Sequence, residues 1–159
     1  MKVHSVVALV GLAIGFALPT FAQLKGAVDP KIEQQIRALV AKFDEAFNRN
    51  DPTALAALYA EDGARVFNGT SHGRQAIEKW YAQSFQSLHP NNHYTNINRL
   101  IAVGNEVRAT GKWSDNPQDE NLIRRSSEGY CSWIFVREGD AWKIRRSSFS
   151  ESHNWSVNL

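Results

Sequence analysis

Residues 43–69 read "FDEAFNRNDPTALAALYAEDGARVFNG", and the fold turns on how this stretch is divided. Asp51 followed by Pro52 is a helix start. The carboxylate can cap free N–H groups, and the fixed φ of proline suits the first helical position. Gly63 is a helix stop, because glycine adopts a left-handed cap at little cost. A second helix is therefore expected over 51–62, followed by a short strand, "ARVFNG", over 64–69. Upstream, Asp29 and Pro30 repeat the start signal. Ile32, Ile36, Leu39, Val40, Phe43 and Phe47 then recur at helical spacing with charges opposite, which predicts an amphipathic first helix to about residue 50. Downstream, a third helix is expected from His72-Gly73 to about Leu88, with Ile77, Trp80, Tyr81, Ser84, Phe85 and Leu88 facing inward. Pro90 bars its continuation.

Beyond Pro90 the apolar spacing becomes alternating. Strands are expected over 94–103, 106–114, 128–137 and 141–151, with a turn at Gly104-Asn105. Residues 115–127 are polar, contain Pro117, and read as a long loop. Glu138-Gly139-Asp140 reads as a hairpin turn. Three helices followed by a four-stranded meander is an α+β plan, with the helices packed on one face of a curved antiparallel sheet. Trp133 and Phe135 point to one face of that sheet; Tyr130, Ile134 and Val136 point to the other. The second face needs cover in water, so a homodimer through the sheet is expected.

The chain has 159 residues, suited to one domain, and its 43% hydrophobic content can fill a core. Lys and Arg number 18 against 16 Asp and Glu, and they are well mixed, so no nucleic-acid surface is implied. Lys2 and His4 precede the apolar run 6–18, and small residues ending at Ala22 follow it. The run is shorter than the roughly 20 residues a membrane span needs. Residues 1–22 are therefore expected to be a signal peptide cleaved before Gln23. That leaves a single domain over 23–159 in the periplasm or medium, with no membrane partner after cleavage. Cys131 is the single cysteine, so no internal disulfide is available. It sits in an apolar run and reads as a small core residue.

The segment quoted first, with "HGRQAIEKWYAQSF" (72–85) and "GDAWKIRRSSFS" (139–150), resembles the nuclear transport factor 2-like superfamily, in its SnoaL-like and ketosteroid isomerase-like branch. The resemblance spans about residues 30–152. It implies a cone, a strongly bent sheet wrapped around helices with an apolar pocket between them. It also implies a mostly apolar or amphipathic small-molecule partner, with Phe43, Tyr59, Asn68, Tyr81 and Ser132 at ligand-binding positions. Tyr59 and Tyr81 match tyrosines of the steroid isomerases. Phe43 stands where those enzymes carry an oxyanion-stabilising tyrosine. Phe67 or Asn68 stands where they carry the catalytic aspartate, and Cys131 or Ser132 stands near their protonated aspartate. A carboxamide is no base near neutral pH, and a phenyl ring cannot donate to an oxyanion. The steroid isomerase constellation is therefore not expected to operate here.

Among the remaining candidates, His72 is a possible acid or base, because imidazole titrates near neutrality. Its other reading is to start the third helix beside Gly73. His89 and His93 have the spacing of paired metal ligands on a helix, but Pro90 interrupts that helix and no metal site is expected. Nothing in the pattern calls for a cofactor. An inward-facing Arg108 or Arg145 could hold an anion. Asn68-Gly69-Thr70 and Asn154-Trp155-Ser156 fit the glycosylation pattern but carry no weight beside an export signal of bacterial type. Two function classes stand: a small-molecule pocket, that of a divergent isomerase, cyclase or dehydratase-like protein lacking the steroid isomerase carboxylates and expected to bind without a general base, and a non-enzymatic dimeric interaction or assembly module.

Overall fold

Asp29 begins the described fold by accepting from the backbone N–H of Lys31 at 2.8 Å and of Ile32 at 3.3 Å. The first helix, α1 (Pro30–Asn48), buries Ile36, Leu39, Val40, Phe43 and Ala46 along one stripe. The computed structural model describes residues 26–87, 92–115 and 127–152. The expected signal peptide, His89, Pro90, most of the polar loop and Trp155 lie outside those residues.

Asp51 starts α2 (Pro52–Ala57), with its carboxylate accepting from the N–H of Ala54. The helix is half the expected length. Leu58 caps it, and the chain leaves at once as strand β1 (Tyr59–Val66). The physical reason is tertiary. The carbonyl of Leu58 accepts from the N–H of Ile144 at 2.9 Å, and β1 lies parallel to the last strand, β6 (Ala141–Glu151). Sheet pairing over the core thus overrides the local helical preference of "LYAED". Gly63 is not a helix cap. It sits in the irregular stretch of the β1–β6 ladder, where a Cβ would meet the Ala60 carbonyl oxygen at 2.9 Å.

"FNGTSH" resolves as a hairpin. The turn 67–69 puts Asn68 at φ 49° and Gly69 at φ 120°, and β2 (Thr70–His72) returns antiparallel to β1. Asn-Gly between two strands is a strong hairpin signal. His72 therefore ends a strand rather than starting a helix. The third helix, α3 (Arg74–Ser87), follows it and buries Ile77, Tyr81 and Phe85.

Strands β3 (His93–Val103), β4 (Glu106–Asp115) and β5 (Ser127–Glu138) join β6 in the expected meander. The sheet nevertheless has six strands, in the order β2-β1-β6-β5-β4-β3, and the β1–β6 pair is parallel. The fold is α+β, with the helices on one face of this curved sheet. Trp133 and Phe135 are buried on that face beneath Phe43, whose ring meets Trp133 edge to face at 4.9 Å. Gly129 marks the tightest approach between strands: a Cβ there would lie 1.8 Å from the Ser150 carbonyl oxygen.

The outer edge of β3 is covered by α1. Arg37 donates to the Ile97 carbonyl, Asp44 accepts from the Thr95 N–H, and Asn48 bonds both the N–H and the carbonyl of His93. Helical side chains thus satisfy an edge that would otherwise invite another strand.

Candidate functional site

A cavity of about 240 Å³ opens between α1, α3 and the concave face of the sheet. Its apolar walls include Phe43, Phe47, Trp80, Phe85, Trp113 and Phe149. Its polar and charged lining includes Arg65, Asn68, Tyr81, His93, Asp115 and Glu151.

His93 begins β3 and Asp115 ends β4, and the two are direct register partners. Nδ1 of His93 lies 2.6 Å from Oδ1 of Asp115. The imidazole is nearly enclosed, with the Phe47 ring 4.2 Å away on one side and the Trp113 ring stacked at 6.2 Å. Nε2 lies 3.3 Å from Thr95 Oγ1 and 3.5 Å from Asp44 Oδ1. Thr95 in turn donates its hydroxyl to Asp44 at 2.8 Å. Burial raises the Asp44 carboxyl above its ordinary range, against the pull of His93 and of two hydrogen bonds from Thr95. The row Asp44–His93–Asp115 therefore places an imidazole between two carboxylates, and the outer carboxylate, Asp115, lines the cavity.

Tyr81 projects from α3. Its hydroxyl lies 3.3 Å from that of Tyr59, which lies 2.7 Å from Ser147 Oγ. Burial raises both phenols, that of Tyr59 by a large margin, and Arg65 partly offsets the rise at Tyr81. Both stay protonated at neutral pH and act as hydrogen-bond donors. Tyr59 is fully buried and is not among the cavity's lining residues. It reaches the site through Tyr81.

The cavity thus gathers Phe43, Asn68 and Tyr81 from the positions expected in the sequence, with Phe67 beside Asn68. Ser132 is not there. It is exposed on the outer face of β5, because strand alternation turns it away from its neighbours Cys131 and Trp133. His72 is exposed on β2 and also lies outside the cavity. Arg108 and Arg145 pair with Glu106 and Asp62 at the surface. Cys131 is buried, and that burial raises its thiol.

Sequence reasoning missed Asp115, Asp44 and Arg65, and weighed His93 only as a metal ligand. Placing the strands at 94–103 and 106–114 left His93 and Asp115 one residue outside each. The turn at Gly104-Asn105 alone would set 93 opposite position 116; a one-residue register shift between Ile97 and Arg99 brings it opposite Asp115, and nothing in the sequence announces that shift. Among the described residues, no group of three or more His, Cys, Asp or Glu side chains is arranged to hold a metal ion.

A family model described as a SnoaL-like domain matches residues 31–148. No curated protein matches the chain. Solved structures share its fold at low identity. A protein of unknown function from Mycobacterium tuberculosis is 17% identical, with a TM-score of 0.71 and 81% of each chain covered. A nuclear transport factor 2-like protein with a cystatin-like fold from Novosphingobium aromaticivorans is 20% identical, with a TM-score of 0.66, 79% of this chain and 85% of that one covered. The protein Aln2 from a Streptomyces species is 12% identical, with a TM-score of 0.68, 79% of this chain and 94% of that one covered.

Proposed function

The chain belongs to the SnoaL-like domain family, and from that membership we propose that it binds a small, ring-bearing, oxygenated molecule and moves a proton at one of its carbons. The observation that carries this reading is the His93–Asp115 contact at 2.6 Å in the wall of an aromatic cavity. Oδ1 of Asp115 is tied to His93, which leaves Oδ2 for a substrate proton. His93 donates Nδ1–H to Oδ1 and so holds the carboxylate in place while Oδ2 collects the proton. Tyr81, oriented by Tyr59, supplies a neutral donor for an oxygen that gains charge as the proton leaves. Isomerisation, cyclisation and dehydration all include such a step. The test is hydrogen–deuterium exchange at the α carbons of β-tetralone in D2O, followed by NMR. Exchange no faster than in buffer at saturating ketone would remove the acid–base reading.

A second reading is a non-enzymatic module that dimerises through its sheet. Tyr94 and Tyr130 favour it, being 62% and 59% exposed on the outer face, with Lys112 Nζ 5.7 Å from the Tyr130 ring. Sedimentation as a monomer at micromolar concentration would exclude the dimer. Export belongs to the same proposal, and mass spectrometry of the exported chain is expected to read Gln23 as its first residue.

A further inference from the structure

Arg65 is 4% exposed, yet among the described residues it forms no ion pair. The arginines that do pair lie at the surface. A buried cation is costly unless something offsets its lost hydration. Part of the offset is visible: Cζ lies 3.1 Å from the centroid of the Trp80 ring system, with the Tyr81 ring at 5.3 Å. Stacking, however, engages the face of the guanidinium and leaves its in-plane N–H groups to be satisfied. Nη1 donates to the Phe67 carbonyl at 3.3 Å. Nε is buried and has no acceptor. With Nη1 on a carbonyl, Nε enclosed and the Tyr81 hydroxyl also hydrogen-bonded to the guanidinium, the neighbours engage its N–H groups in part but none of them neutralises its charge.

Arg65 also lines the cavity. It stands on β1 beside the Phe67–Gly69 turn, whereas His93 and Asp115 stand at the paired ends of β3 and β4. Asp115 and Glu151, both in the cavity wall, repel a second negative charge from their own vicinity. One part of the cavity therefore offers an unpaired cation, and another offers an acid–base pair with excess negative charge.

We propose that Arg65 recognises a carboxylate on the ligand, so that the substrate class is a small aromatic or alicyclic carboxylic acid held with its reacting carbon toward Asp115. The proposal deepens the reading of the cavity as a proton-transfer site and rests on that reading. The single positive charge of Arg65 matches a monoanion. A phosphate dianion would carry a second negative charge that no second cation offsets and that Asp115 and Glu151 oppose. Asn68, at the turn beside Arg65, can donate its carboxamide N–H to the same group.

The test is calorimetric titration at neutral pH with trans-cinnamate and its neutral analogue trans-cinnamamide, with β-tetralone as an uncharged reference. The protein is expected to bind cinnamate about tenfold or more tighter than cinnamamide, the scale of hydrogen bonds to a charged group. Arg65→Gln should remove that preference. Arg65→Lys, which keeps the charge but loses the planar stacking on Trp80 that positions it, should retain only part of it. If Arg65→Gln does not fold, the ratio for the unaltered protein and the Arg65→Lys result still decide. Equal binding of cinnamate and cinnamamide, alongside binding of β-tetralone, overturns the carboxylate assignment and leaves the proton-transfer reading standing. A preference that survives in Arg65→Gln overturns it as well. Binding of none of the three overturns the cavity reading and this proposal together.

Discussion

Phe43→Ala is expected to lower folding stability by about 3–5 kcal/mol, measured by urea unfolding. Phe43 is fully buried at the centre of the aromatic cluster. Its ring meets Trp133 edge to face at 4.9 Å, stacks with Phe47 at 6.0 Å and Phe149 at 6.1 Å, and approaches Tyr81 at 6.3 Å. Removing it deletes contacts from α1, α3, β5 and β6 together, and no single neighbour can collapse into the space. Domains of this size are stable by roughly 5–15 kcal/mol in all, so the loss is a large share. A change below about 0.5 kcal/mol, the scale of ordinary surface substitutions, would mean that α1 does not present this face to the core. The existing cavity beside Phe43 makes the lower half of the range the better expectation, since part of its surroundings is already open.

His93→Gln is expected to slow α-carbon exchange of β-tetralone by about 10²–10⁴-fold, the range for losing a positioned acid–base group. Glutamine can offer a hydrogen bond to Asp115 but not from a rigid ring fixed between Phe47 and Trp113, so the carboxylate loses its positioning. The affinity for the ketone should change far less than the exchange rate, because the apolar walls that bind it remain. Asp115→Asn should produce a loss of similar size, because it removes the carboxylate whose second oxygen meets the substrate. The double variant should be little worse than either single one, since the two residues act as a unit. Exchange that persists in both single variants would move the base elsewhere in the cavity. Affinity and rate falling together by the same factor would indicate a collapsed pocket instead of lost chemistry.

These two expectations draw on different kinds of information. Phe43 was legible as a core residue because helical spacing is a local property: Ile36, Leu39, Val40 and Phe43 share a stripe whatever the rest of the chain does. The His93–Asp115 contact was not legible in that way. The two residues stand 22 apart and meet only through strand register, and an assignment short by one residue at each strand end conceals them. The resemblance also drew attention to positions on the first helices and the short strand. In this chain the imidazole of His93 and the carboxylate of Asp115 sit on β3 and β4, with Asp44 reaching them from α1.

By itself the sequence determined what short-range physics can decide. Asp29-Pro30 and Asp51-Pro52 start the first two helices, because capping and proline geometry act within a few residues. The alternation after residue 93 makes the meander, and the family pattern places the fold. Tertiary structure decided the rest. It ended α2 at Ala57, because the Leu58 carbonyl and the residues after it are claimed by β6. It turned Ser132 outward and Arg65 inward, because the face of a strand residue depends on register and on the irregularity between Tyr59 and Ala64. It set His93 between two carboxylates, because only closure of the sheet against α1 brings Asp44, Thr95 and Asp115 to the same ring.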